Sequence, residues 1–234
     1  AVYGYMNRGE HEGEVGVGIY YFDVERNLIQ EKAFIPSKKS YAIAADELGK
    51  MVYYNHAEEQ LYVLADGTLY QVDLKKNKQT TLAENLKEGQ YAVSGDGHLM
   101  AYESERNKKG GTEIQVMNLS SLETNTVEAA SGEKISPLGF VNGDFIYGKM
   151  KSEDAGKKAS GESITPMYEL EIRNSKNKKV ASYSFVDKGI YISDILIDDN
   201  MVTLNRVEKS GDIYNVTSQE FITNNEERKD TAIK

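Results

Sequence analysis

The chain contains no cysteine and no tryptophan, and only 3 prolines and 3 histidines among 234 residues. Without thiols there is no disulfide, no cysteine-based zinc site and no thiol nucleophile, and compartment is not readable from cysteine usage. Tryptophan is a common platform for stacking sugar rings and anchoring hot-spot contacts, so its absence weighs against glycan recognition, with 16 tyrosines as a partial substitute. No segment approaches the ~18 consecutive apolar residues of a membrane span, so direct membrane insertion by this chain is not expected. Basic residues are also in deficit, 28 against 37 acidic ones, for a net charge of −9. That balance opposes attraction to phosphate backbones and anionic lipid, and nucleic acid is not an expected partner. The short basic runs Lys75-Lys76-Asn77-Lys78, Lys108-Lys109 and Lys176-Asn177-Lys178-Lys179 fall in expected turns and read as solvated lysines.

What the chain does have is repetition. An apolar strand, a Gly/Asp/Asn turn, a second strand and an aromatic strand recur, and such self-similarity marks a repeat architecture. The second strands begin at Val2, Met51, Leu99, Phe145 and Met201, in steps of 49, 48, 46 and 56 residues. The third strands begin at Ile19, Leu69, Ile114, Tyr168 and Ile213, in steps of 50, 45, 54 and 45. Between first and second strands lie Asp46-Glu47-Leu48-Gly49, Gly95-Asp96-Gly97, Asn142-Gly143-Asp144 and Asp198-Asp199-Asn200, residue types that tolerate the positive φ of tight hairpins. Ala65-Asp66-Gly67-Thr68 signals a further hairpin. First strands such as Tyr41–Ala45 and Tyr91–Ser94 are rich in small residues, as the crowded axis of a propeller requires.

Four short strands per repeat of about 45 residues predict an all-β chain, a β-propeller of about five four-stranded blades. The expected repeats are 1–36, 37–86, 87–131, 132–187 and 188–228, within one domain spanning 1–234. Ser94-Gly95-Asp96-Gly97-His98-Leu99-Met100-Ala101-Tyr102 and Ile114-Gln115-Val116-Met117-Asn118 resemble the blade of TolB-like and WD-repeat-like propellers, Gly95 standing where the TolB family usually has proline. The resemblance covers the second and third repeats best. It implies a fold and the company of bacterial exported, lipoprotein-type proteins, with no single activity attached.

The first repeat opens directly on its second strand, and the chain starts at Ala1 with no leader. The expectation is a mature or trimmed form. Either the tail Asp230–Lys234 supplies the missing strand and closes a five-bladed ring, or the chain is an excised part of a larger propeller. The segment Lys151–Pro166, whose only apolar residues before its proline are Ala155, Ala159 and Ile164, predicts a disordered insert, with a partner-binding arm as the functional alternative.

Catalytic motifs are absent: there is no Gly-x-Ser-x-Gly elbow, no phosphate-binding Gly-rich loop and no His-Glu-x-x-His. His11, His56 and His98 all read as exposed loop histidines. Glu10-His11-Glu12 and Asp198-Asp199-Asn200 carry metal-competent atoms without specifying a geometry. Glycoside hydrolysis needs two carboxylates ~5–10 Å apart, and Asp194 is the one acid on the expected inner strands. No catalytic, cofactor or metal residue is therefore assigned, and no cofactor is expected. The strand tyrosines, from Tyr20 and Tyr21 to Tyr214, are read as core residues packed between blades.

The expected function is a non-enzymatic binding or scaffold module of a bacterial cell-surface protein, extracytoplasmic and held by an anchor outside this chain, with a protein, peptide or small ligand as partner. The competing expectation is a substrate-gating domain of a larger enzyme or sensor.

Overall fold

A computed structural model describes residues 1–43, 51–104 and 113–223. It is all-β, and its strands run as successive antiparallel meanders. The first sheet contains β1 (Val2–Tyr5), β2 (Val15–Asp23) and β3 (Leu28–Pro36) in that order. The second contains β4 (Val52–Asn55), β5 (Gln60–Ala65), β6 (Thr68–Asp73) and β7 (Lys78–Ala83), again in chain order. The third contains β8 (Tyr91–Val93), β9 (Leu99–Ser104), β10 (Glu113–Asn118) and β11 (Thr124–Glu128).

By compactness the chain divides into two units, Ala1–Ser104 with Met117–Thr124, and Glu105–Val116 with Asn125–Lys234. In the first unit the core lies between sheets. Alternate residues of β5 point to opposite faces: Leu61, Val63 and Ala65 pack with Val17, Ile19 and Ile35 of the first sheet. Tyr62 and Leu64 pack with Met51, Met100, Tyr102 and Leu119 on the other side. A strand buried on both faces reads as a continuous apolar run, which explains Leu61-Tyr62-Val63-Leu64-Ala65. Sheets stacked face to face in chain order are packed as propeller blades are.

The second unit contains β12 (Glu133–Val141), β13 (Asp144–Lys151), β16 (Met167–Arg173) and β17 (Lys179–Tyr183) as one antiparallel meander. A second meander contains β18 (Ile190–Asp198) and β19 (Met201–Ser210), with β20 (Ile213–Val216) and β21 (Glu220–Thr223) both pairing with β19. Leu170 and Ile172 of β16 share a core with Ile192, Val202 and Leu204 of β18 and β19.

The turns follow the expected chemistry. Asp66 and Gly67 both adopt positive φ, +49° and +71°, between the paired residues Ala65 and Thr68, and Asn142-Gly143 does the same at +50° and +83°. Asn77 and Asn177 supply positive φ inside two of the lysine-rich turns. Asp46–Gly49, Lys108-Lys109 and Asp230–Lys234 lie outside the described residues.

Four expectations need correction. Tyr41–Ile43 form a helical turn instead of opening a first strand, and Ala44-Ala45 lie outside the described residues. Val52–Asn55 consequently takes the first place in its sheet, and Gln60–Ala65 the second. Tyr20, Tyr21 and Tyr54 are exposed, although Tyr62, Tyr102, Tyr147 and Tyr214 are core residues as expected. The insert is ordered: it contains a 3-10 turn (Ser152–Asp154), β14 (Gly156–Lys158) and β15 (Ser163–Ile164). β14 pairs in parallel with β20, Lys157 opposite Ile213 and Lys158 opposite Tyr214. Composition misleads here because backbone pairing and one buried acid, not apolar side chains, hold the segment down.

Candidate functional site

The first sheet presents two different faces. Val17 and Ile19 point into the core, and the opposite face carries Gly4, Gly16 and Gly18, with Gly4 and Gly16 directly paired. Aromatic rings occupy the space that side chains would fill. A Cβ built on Gly18 would stand 2.6 Å from the Tyr20 ring, and one on Gly16 would stand 2.8 Å from the Phe34 ring and 2.4 Å from the Ile35 carbonyl. A Cβ on Gly4 would meet the Tyr41 ring at 3.3 Å. Glycine inside a strand often marks a close approach of this kind.

His11, carried by the loop after β1, stacks on Phe34 with ring centroids 3.8 Å apart and planes inclined by 12°. Its Nε2 is 2.9 Å from a Glu31 carboxylate oxygen, in hydrogen-bond contact. Glu31 lies opposite Tyr20 across the β2–β3 ladder. Partial burial, and then the charge and hydrogen bond of Glu31, hold the Tyr20 hydroxyl above its ordinary pKa. The result is a glycine-floored shelf of three rings with an acid at its edge; Phe34 is covered by His11, and the other two rings remain open to solvent, Tyr20 by 40% and Tyr41 by 56%.

The second unit holds the deepest charge. The Glu171 side chain is only 3% exposed and lies 2.7 Å from Lys149 Nζ and 2.8 Å from Arg173. Burial alone pushes the carboxyl up, but hydrogen bonds from Lys149 and Tyr147 outweigh it and hold the pKa at about 2. Burial, and then Glu171, push the Tyr147 hydroxyl up to about 12. Lys149 is also bound by Glu169 at 3.0 Å, and its ammonium is raised because both carboxylates outweigh its desolvation. Every charge in this constellation is answered by a neighbour, which suits a structural network across β13 and β16 better than a reactive group.

The insert is pinned by Asp154. Its carboxylate accepts a hydrogen bond from Tyr191 at 3.1 Å and lies 3.4 Å from Lys209 Nζ, while the Tyr214 hydroxyl donates to its carbonyl at 2.7 Å.

Among the residues singled out by sequence, His11 is the one the fold draws into a cluster, and it is stacked instead of loosely solvated. His98 sits in its turn 2.5 Å from Asp96, and His56 is exposed with its ring edge-on to Tyr54. Glu10 and Glu12 are exposed. Asp194 accepts from Ser193 and Asn205 on the exposed side of β18, and Asp198-Asp199-Asn200 is the β18–β19 hairpin. No group of three or more metal-competent side chains is found among the described residues. The aromatic shelf was not anticipated. Its signal is the alternation Val15-Gly16-Val17-Gly18-Ile19, which puts glycines on one face of a strand just before Tyr20.

No family model and no curated protein matches this chain. Among solved structures, the β-propeller domain of the Trilobed protease from Pyrococcus furiosus is 15% identical, with a TM-score of 0.39, over 70% of this chain and 53% of its own. The chain thus spans about half the length of that domain. A prolyl endopeptidase is 15% identical with a TM-score of 0.37, over 75% of this chain and 31% of its own. A putative TolB from Agrobacterium tumefaciens is 10% identical with a TM-score of 0.28, over 82% of this chain and 78% of its own. These are likenesses only, and the propeller reading rests on the face-to-face stacking of successive meanders.

Proposed function

We propose that this chain is a non-enzymatic recognition module, the extracytoplasmic part of a bacterial cell-surface protein, and that it binds a protein or peptide on the glycine-floored face of its first sheet. The five meanders, beginning at β1, β4, β8, β12 and β18, are read as five blades of one propeller. The observation that carries the binding reading is that Tyr20, Phe34 and Tyr41 are held against strand glycines while Tyr20 and Tyr41 stay open to solvent. Rings with few degrees of freedom lose little conformational entropy on contact, which is why aromatics dominate recognition surfaces. The buried charge of Glu171 and the half-buried ones of Lys149 and Arg173 support the same reading, because each is already paired.

The test is selection of a displayed random-peptide library on the immobilised protein, run in parallel on a Tyr20→Ala/Tyr41→Ala variant. Peptides retained by the parent and lost by the variant are expected. Equal recovery from both proteins would refute the assignment of the surface. Export is checked separately, by whether the full coding sequence carries a cleavable leader or a lipid-attachment site.

A further inference from the structure

Resting on the recognition reading above, we propose that the shelf takes a cationic side chain, an arginine guanidinium or lysine ammonium presented by an extended peptide. Three observations converge on that chemistry. The open faces of Tyr20 and Tyr41 carry the negative face of an aromatic quadrupole, which attracts a cation placed within about 6 Å of the ring centroid. At the edge of the shelf, Glu31 is fixed by Tyr20 and His11 yet remains 35% exposed, and a carboxylate that serves two neighbours retains acceptor capacity for a third. Finally, the loop that carries His11 onto Phe34 contains Glu10, Glu12 and Glu14 against a single Arg8, so the rim is acidic on that side.

The alternatives fit less well. An anionic partner would meet Glu31 and the acidic loop. A second copy of the chain would bring the same acids face to face. A neutral apolar peptide would desolvate the Glu31 carboxylate further without offering it a third partner. The protein already uses the proposed pairing on the opposite side of this sheet, where Lys32 Nζ lies 5.4 Å from the Tyr21 ring centroid.

The experiment is a titration of the full chain with the acetylated, amidated peptide Arg-Gly-Arg-Gly-Arg, followed by NMR of the aromatic side chains. The control is the peptide with citrulline for arginine, which has the same shape without the charge. The arginine peptide is expected to bind about tenfold more tightly than its neutral twin, and to shift the resonances of Tyr20, Phe34, Tyr41 and His11. Glu31→Gln should lose most of that difference and Tyr20→Ala nearly all of it, while Tyr21→Ala, on the other face, should bind as the parent does.

Shelf shifts of equal affinity with both peptides would overturn the cation assignment and leave the recognition reading standing. Shifts spread over the acidic surface, or a Glu31→Gln variant that binds undiminished, would overturn it as well. Absence of shelf shifts together with equal library recovery would remove both readings. Binding that appears only in a chain ending at Thr223 would assign the shelf to the protein's own tail, against the proposal. Dimerisation lost on Tyr20→Ala would assign it to a second copy and overturn the proposal in the same way.

Discussion

At the scale of single residues, the most consequential group is Glu171. Its folded pKa of about 2 lies below the ordinary carboxyl value of 4.5. Between those values the unfolded chain binds the proton and the folded one does not, so acidification favours unfolding. The stabilisation is complete above pH 4.5 and is lost as pH falls toward 2. Glu171→Gln should flatten this segment of the pH–stability profile. At neutral pH it should cost roughly 3 kcal/mol, because Lys149 would keep Glu169 alone as a close partner. Urea melts at pH 2.5, 5 and 7 check both expectations, and an unchanged slope in the variant would place the acid sensitivity elsewhere.

Gly67 is the second residue with a clear expectation. Its φ is +71°, and a Cβ there would stand 2.4 Å from the Leu86 carbonyl. Gly67→Ala should therefore cost about 1–3 kcal/mol from backbone strain and displacement of the Leu86 backbone. Thermal denaturation would show a loss, and a neutral result would mean the hairpin can lift away from Leu86 freely.

At the scale of elements, the insert between β13 and β16 behaves as a strap. Its parallel ladder to β20 and the Asp154 contacts with Tyr191, Lys209 and Tyr214 replace the apolar anchors its sequence lacks. Deleting Asp154–Ser163 should lower Tm by several degrees, and an unchanged Tm would return the segment to the disordered class that its composition suggests. Tyr214→Phe removes the buried hydrogen bond to the Asp154 carbonyl together with the hydroxyl's contact with Lys209. It should cost about 1 kcal/mol, or roughly 2–4 °C in a chain of this size, by calorimetry.

Most strands and turns were legible because their signals are local. Asp66-Gly67, Asn142-Gly143 and the alternating runs around them leave the backbone little choice. The misplaced first strand of the second repeat shows the limit. Tyr41-Ala42-Ile43 has a pattern compatible with either a short strand or a helical turn, and local sequence does not arbitrate between them.

At the scale of the whole molecule, each of the two compact units has a core of its own. The cores made by Val17, Val63 and Met100 in the first unit and by Leu170 and Val202 in the second are each built within one unit. Ending the chain after Ser210 removes β20 and β21 and strips the pairing from one side of β19. In an array of nearest-neighbour repeats the damage stays with the units that lose a partner. Amide exchange in the truncated chain should therefore rise in β18, β19 and the strap, while β5 and β6 keep their protection. Loss of protection throughout would instead show a closed ring whose blades fold together.

The sequence by itself determined the all-β class, the recurrence of meanders and the chemistry of the turns, because these follow from side-chain alternation and local φ preferences. It also carried the glycines of β2, although not what lies over them. Tertiary structure decided that Tyr20, Phe34 and Tyr41 lie against those glycines, that His11 meets Glu31 across 20 residues, and that the polar insert docks through Asp154. Those juxtapositions depend on how separate strands pair and where loops return, contacts between residues far apart in the chain that no local pattern encodes.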